Sequence, residues 1–162
     1  MKNTKKISSP KKYLSKRFLS RLIAAQSLYQ YEFYQREIAL DILSRQLVEN
    51  YFLSENEAIS SYQKKIDDQL LQTLVSGVVL VIEKIDDEIV LFLKGEWKIE
   101  NLPDVMLQIL RLATFELQFL KDIPEKVIIS QYVDLAACFY DAKKITFVNS
   151  ILQNIANKNH SK

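Results

Sequence analysis

The sequence holds one cysteine, one histidine, one tryptophan, three prolines and two glycines among 162 residues, and each scarcity closes off a kind of chemistry. A lone Cys138 can neither form an internal disulfide nor build a thiolate cage for zinc, and it fits a reducing, cytoplasmic setting. His160 stands in "NKNHSK" with no carboxylate, serine or cysteine beside it arranged to use it, so it reads as a solvated tail residue rather than a general base. Gly77 and Gly95 are too far apart to make a phosphate-cradling loop, which argues against nucleotide hydrolysis. The longest strongly apolar run, "VVLVI" at 78–82, stops at Glu83 and is far too short to span a bilayer. The basic amino end is not followed by an apolar signal core. The acids "DDE" at 86–88 point in different directions on a helix and read as a solvated face rather than a metal site. The expectation is a protein with no metal, no cofactor and no catalytic centre, and with no membrane partner.

What the sequence does contain is apolar surface and a lopsided charge. Apolar residues make up 48% of the chain, enough for one compact and helical domain with a real core. Net charge is only +2, yet Lys2, Lys5, Lys6, Lys11, Lys12, Lys16, Arg17 and Arg21 all precede the first acid, Glu32. Clustered cations of this kind release counterions when they meet phosphates, so the amino end is a candidate polyanion-binding surface. A solvated basic tail is the alternative reading of the same charges.

Residues 1–11 read as a flexible basic tail and 12–158 as a single helical domain. A first helix is expected from about Lys12, with Phe18, Leu22, Ala25 and Tyr29 on one stripe. Arg17 and Arg21, four apart, share one flank of that stripe, and Lys12 and Lys16 share another. A second helix fits 37–52, with Ile38, Ile42, Leu43 and Leu47 inward, and 53–65 reads as a polar loop or frayed end. One long helix is expected from Asp67 to Leu93, its helical period outweighing the β-branched "VVLVI". Pro103 with Asp104, and Pro124 with Glu125, mark two further starts. The second of these helices should bury Val127, Ile128, Val133, Leu135 and Ala136, and Cys138 in "LAACFY" reads as a buried thiol. The last helix should begin near Thr146, a candidate cap, and bury Val148, Ile151, Leu152 and Ile155, with Phe147 about 100° from Val148, at the edge of that stripe. The fold class is all-α, a bundle of six or seven helices in an amino-terminal and a carboxy-terminal group.

Five segments occur in an order that resembles the NusB family of bacterial transcription antitermination factors: "RLIAAQSLYQYE" (21–32), "LVSGVV" (74–79), "ILRLATFEL" (109–117), "IPEKVIISQYVDLA" (123–136) and "FVNSILQNIA" (147–156). The resemblance spans roughly residues 12–158. It implies a NusB-like bundle that pairs with NusE, a small-subunit ribosomal protein, binds single-stranded boxA RNA and acts in the transcription elongation complex during ribosomal RNA synthesis. By position, Lys16, Arg17 and Arg21 match the basic part of the family's first helix and are the RNA candidates. Lys11 and Lys12 join them on charge. Tyr29 matches the tyrosine of the family's "LY" pair and Phe147 the phenylalanine of its "FVN", both implied to face NusE, while core packing stays open for Tyr29. Arg111 matches the arginine of the central helix, and Met106 stands where an acidic partner-contacting residue can occur. Ser130, Gln131 and Ser150 depart from the family's usual Asn, Glu and Gly. Two alternatives remain at this level: the NusB-like domain of a ribosomal RNA cytosine methyltransferase, and a helical scaffold that binds protein only. A monomer and a homodimer are both open.

Overall fold

The structure, a computed structural model, describes residues 15–53 and 66–161. The described residues form seven α-helices and one short 3-10 turn, with no strand. The expected tail with Lys11, the expected helix start at Lys12 and most of the expected loop at 53–65 lie outside them.

Helix α1 runs Lys16–Phe33. Ser15, in extended conformation, accepts from the Phe18 N–H at 3.1 Å and so caps the orphan amides of the first turn. Helix α2 is Leu40–Leu53, where Leu43 is buried but Ile42, expected inside, is 45% exposed. Two left-handed residues, Gln35 and Arg36, turn the chain between these helices.

The long helix expected at 67–93 is broken. Helix α3 is Asp68–Leu80 and helix α4 is Ile82–Val90, joined at Val81, whose φ and ψ of −125° and 27° leave its N–H bonded to Val78 O. Neither proline nor glycine stands at the break. The β-branched run there carries the χ1 restriction that lowers helix preference, and in this stretch it prevails over the period. The break leaves Leu80 in solvent and lets Val78, Ile85 and Ile89 all reach the core.

After a 3-10 turn at Ile99–Asn101 come helix α5 (Asp104–Phe119), helix α6 (Glu125–Ala137) and helix α7 (Ala142–His160). The starts marked by Pro103 and Pro124 are found as expected. Helix α7 begins one turn earlier than Thr146: Asp141 caps it through the Lys144 N–H at 3.1 Å, and the Thr146 hydroxyl donates back to Ala142 O within the helix. Val127 is exposed rather than buried. Cys138, at the carboxyl end of α6, is exposed too, because the helix ends before its stripe comes round again.

Helix α5 is the spine. It contacts α1, α3, α4, α6 and α7, and most of its length is buried, from Met106 to Leu117. Helices α1, α2 and α3 pack on one another, as do α6 and α7, so two helical groups share α5. Each fully buried Leu or Ile of this core, such as Ile109 or Leu74, contributes about 1.5–3 kcal/mol of burial.

Candidate nucleic-acid and partner interface

The cationic end of α1 is open to solvent. Lys16 and Arg17 are exposed, and no acid occupies the first turn of the helix. Arg17 Nε lies 3.4 Å from Asp67 Oδ2, its one ion pair among the described residues. Asp67 is held against α1 by Ser20, whose buried hydroxyl accepts from the Asp67 N–H at 2.8 Å and has the carbonyls of Asp67 and Lys16, at 2.8 and 3.0 Å, as acceptors for its one proton.

Arg21 corrects the expectation. It is 2% exposed, and its guanidinium donates through Nε and Nη2 to Glu116 of α5 at 2.7 and 2.8 Å, with the Tyr132 ring 5.7 Å from its central carbon. Four residues bring Arg21 only about 6 Å further along the axis than Arg17, but that is far enough to pass from the free end of α1 into the packed body. Burial works to lower the Arg21 pKa, yet the hydrogen bonds and charge of Glu116 outweigh it and raise it. Burial, and next the Glu116 charge, push the Tyr132 phenol well up. Arg21 holds α1 to α5 and is not available to a phosphate.

The partner candidates divide between two clefts. Tyr29 and Arg111 meet in one of about 210 Å³, lined also by Glu32, Phe33, Asp104 and Leu107. Tyr29 is half-buried at its edge, and Phe33 beyond it is 67% exposed, with ring centroids 6.2 Å apart. Arg111 is buried and bidentate to Asp86 of α4 at 2.7 and 2.8 Å, with Glu32 at 3.6 Å, so it forms the charged floor of the cleft. Met106 is 1% exposed and belongs to the core; its neighbour Leu107, about 100° round the helix, takes the place on the cleft. Phe147 lies elsewhere, half-buried against Trp97 at 5.2 Å in a cleft of about 190 Å³ with Lys94 and Phe92.

The acids "DDE" are more than a solvated face. Asp86 binds Arg111 and Glu88 binds Lys158 of α7 at 2.6 Å, while Asp87 is exposed. His160 is exposed yet lies 2.6 Å from Glu125, at the rim of a cleft of about 490 Å³. Among the described residues no three His, Cys, Asp or Glu side chains converge as metal ligands, and no helix is long and apolar enough to cross a membrane. Sequence reasoning missed Asp67, Phe33, Asp86 and Trp97. Trp97 had a readable signal: the single tryptophan falls in the turn-rich stretch between Gly95 and Pro103, outside any buried stripe. The ion-pair partners had none, because they are 25 to 95 residues from their arginines in the chain.

Fold and surface together define a class: an all-α protein whose candidate functional groups are a cationic helix end and two aromatic clefts, the build of a binding module. The chain belongs to the NusB family, which matches residues 19–157. It is 34% identical over 147 residues to the transcription antitermination protein NusB of Sinorhizobium fredii, covering 91% of this chain and 89% of that one. Among solved structures it is similar to T. maritima NusB, with a TM-score of 0.68, 30% identity and coverage of 87% of this chain and 90% of that one. It is also similar to a chain in a crystal structure of the antitermination factors NusB and NusE in complex with dsRNA, with a TM-score of 0.67, 28% identity and coverage of 87% and 96%.

Proposed function

We propose that this chain is an RNA-binding transcription antitermination factor that pairs with NusE, binds single-stranded boxA of nascent RNA and works within the elongation complex during ribosomal RNA synthesis. The observation that carries the RNA half of this reading is the solvent-exposed pair Lys16 and Arg17 at the acid-free end of α1. Phosphates meeting such an end gain from two cations and from the positive end of the helix dipole. The protein half rests on the Tyr29 and Phe147 clefts, each offering a partly exposed aromatic beside charged groups. The role is one of recognition in the cytoplasm, by a single domain at 12–158 that follows a basic tail, and it calls on no catalytic group. The methyltransferase-domain reading is not favoured, since the relative matched over nearly its whole length is itself named an antitermination protein.

Filter binding with boxA-like and scrambled RNA, with and without NusE, tests the proposal. Wild type should bind both RNAs and prefer boxA when NusE is present. Changing Lys16 and Arg17 together to glutamine should weaken both RNAs alike and reduce the magnitude of the salt slope by roughly 1.4, because each phosphate contact on a single strand contributes about 0.7. An unaltered slope would leave the pair as a solvated face. NusE binding without RNA binding would favour the protein-only scaffold. Sedimentation of the free and RNA-bound protein would decide whether a homodimer covers this end.

A further inference from the structure

We propose that Asp67 is a built-in competitor for the phosphate that Arg17 binds, so that this carboxylate limits RNA affinity; the inference rests on the RNA-binding reading above. Asp67 uses its two oxygens for different purposes. Oδ1 accepts from the Leu70 N–H at 3.0 Å and caps α3, while Oδ2 lies 3.4 Å from Arg17 Nε. Capping alone does not require a charge, since Asn or Ser caps as well as Asp. The charge acts instead on Arg17, which is 56% exposed and would otherwise offer its whole guanidinium to solvent or to a phosphate.

The placement is fixed. Ser20, three residues after Arg17 and 0% exposed, accepts from the Asp67 N–H at 2.8 Å and so pins the Asp67 backbone beside α1, while the Leu70 N–H bonded to Oδ1 holds the carboxylate itself at the cationic end. A phosphodiester approaching Arg17 must therefore displace a carboxylate already in the guanidinium's reach or share the site with a second negative charge. Either costs binding free energy. Neighbouring Asp68 is exposed and carries the same charge on the same helix end, but no ion pair joins it to Arg17.

Four variants measured against boxA-like and scrambled RNA at about 50 mM salt test this: Asp67→Asn, Asp68→Asn, Arg17→Gln and Arg17→Gln with Asp67→Asn, with Asp67→Ser as a second capping replacement. Asp67→Asn and Asp67→Ser should each tighten both RNAs by about threefold, within the roughly 1.4- to 5-fold range open to an exposed ion pair. Asp68→Asn should do less, and the gain from Asp67→Asn should vanish in the Arg17→Gln background, the non-additivity expected of a direct pair. Circular dichroism should remain that of wild type. Equal gains at positions 67 and 68, no gain at 67, or a gain undiminished without Arg17 would each overturn the proposal while leaving RNA binding standing. Absence of RNA binding by wild type would overturn the RNA reading and this proposal with it.

Discussion

Arg21 and Glu116 are both almost wholly withdrawn from water, at 2% and 0% exposure, and each is the other's means of being there. Removing one partner of such a pair leaves a bare buried charge, which typically costs about 3–5 kcal/mol, whereas replacing both by apolar groups of similar volume is often neutral or better. Arg21→Met is therefore expected to lose about that much stability in urea denaturation, and Arg21→Met with Glu116→Leu to recover most of it. RNA affinity per folded molecule should stay at the wild-type value in both variants. A specific RNA defect in a folded Arg21 variant would return this residue to the phosphate-binding set. At the same scale Arg17 behaves oppositely, because it stands exposed at the free end of α1 and its one ion pair among the described residues is a loose one.

Between elements, α3 approaches α5 closely at Gly77. A Cβ at Gly77 would lie 2.1 Å from Phe115 Cζ, and the ring is itself stacked on Phe119 with centroids 5.2 Å apart, so it cannot simply swing aside. Glycine in a helix interior ordinarily costs about 1 kcal/mol relative to alanine. Here the sign reverses, because overpacking a filled core costs about 1–3 kcal/mol. Gly77→Ala should lower the midpoint of thermal unfolding, and adding Phe115→Leu should restore part of it. A stabilised Gly77→Ala would mean that α3 and α5 can separate without loss. The break at Val81 belongs to this scale as well: ending α3 there leaves Leu80 outside and turns α4 so that Asp86 meets Arg111 and Glu88 meets Lys158.

In the whole molecule the cationic end and the Tyr29 cleft lie at opposite ends of α1 and Phe147 lies on α7, all joined through α5, which contacts α1, α4 and α7. Phe147 packs on Trp97 but keeps part of its ring at the cleft. Truncating an aromatic that fills a partner's pocket commonly costs about 2 kcal/mol or more. Phe147→Ala should thus weaken NusE binding at least about tenfold with helical circular dichroism retained. RNA binding by the isolated protein should change little, because Lys16 and Arg17 sit on another helix. Loss of folding with partner affinity per folded molecule unchanged would make Phe147 a core residue.

The amino-acid sequence alone determined that the chain is helical, that helices start beside Asp67, Pro103 and Pro124, and that its amino end is cationic. Those properties arise from local period, from proline and acid at helix starts, and from charge counted along the chain. Only the tertiary structure decided which charges remain free. Arg17 and Arg21 are equivalent by spacing, yet one is in water and the other is locked to Glu116, because what covers a side chain depends on helices that return from 50 to 95 residues away. The same holds for Met106 against Leu107, where about 100° of rotation separates core from cleft, and for Asp67, whose backbone is brought beside α1 by a serine hydroxyl rather than by any motif.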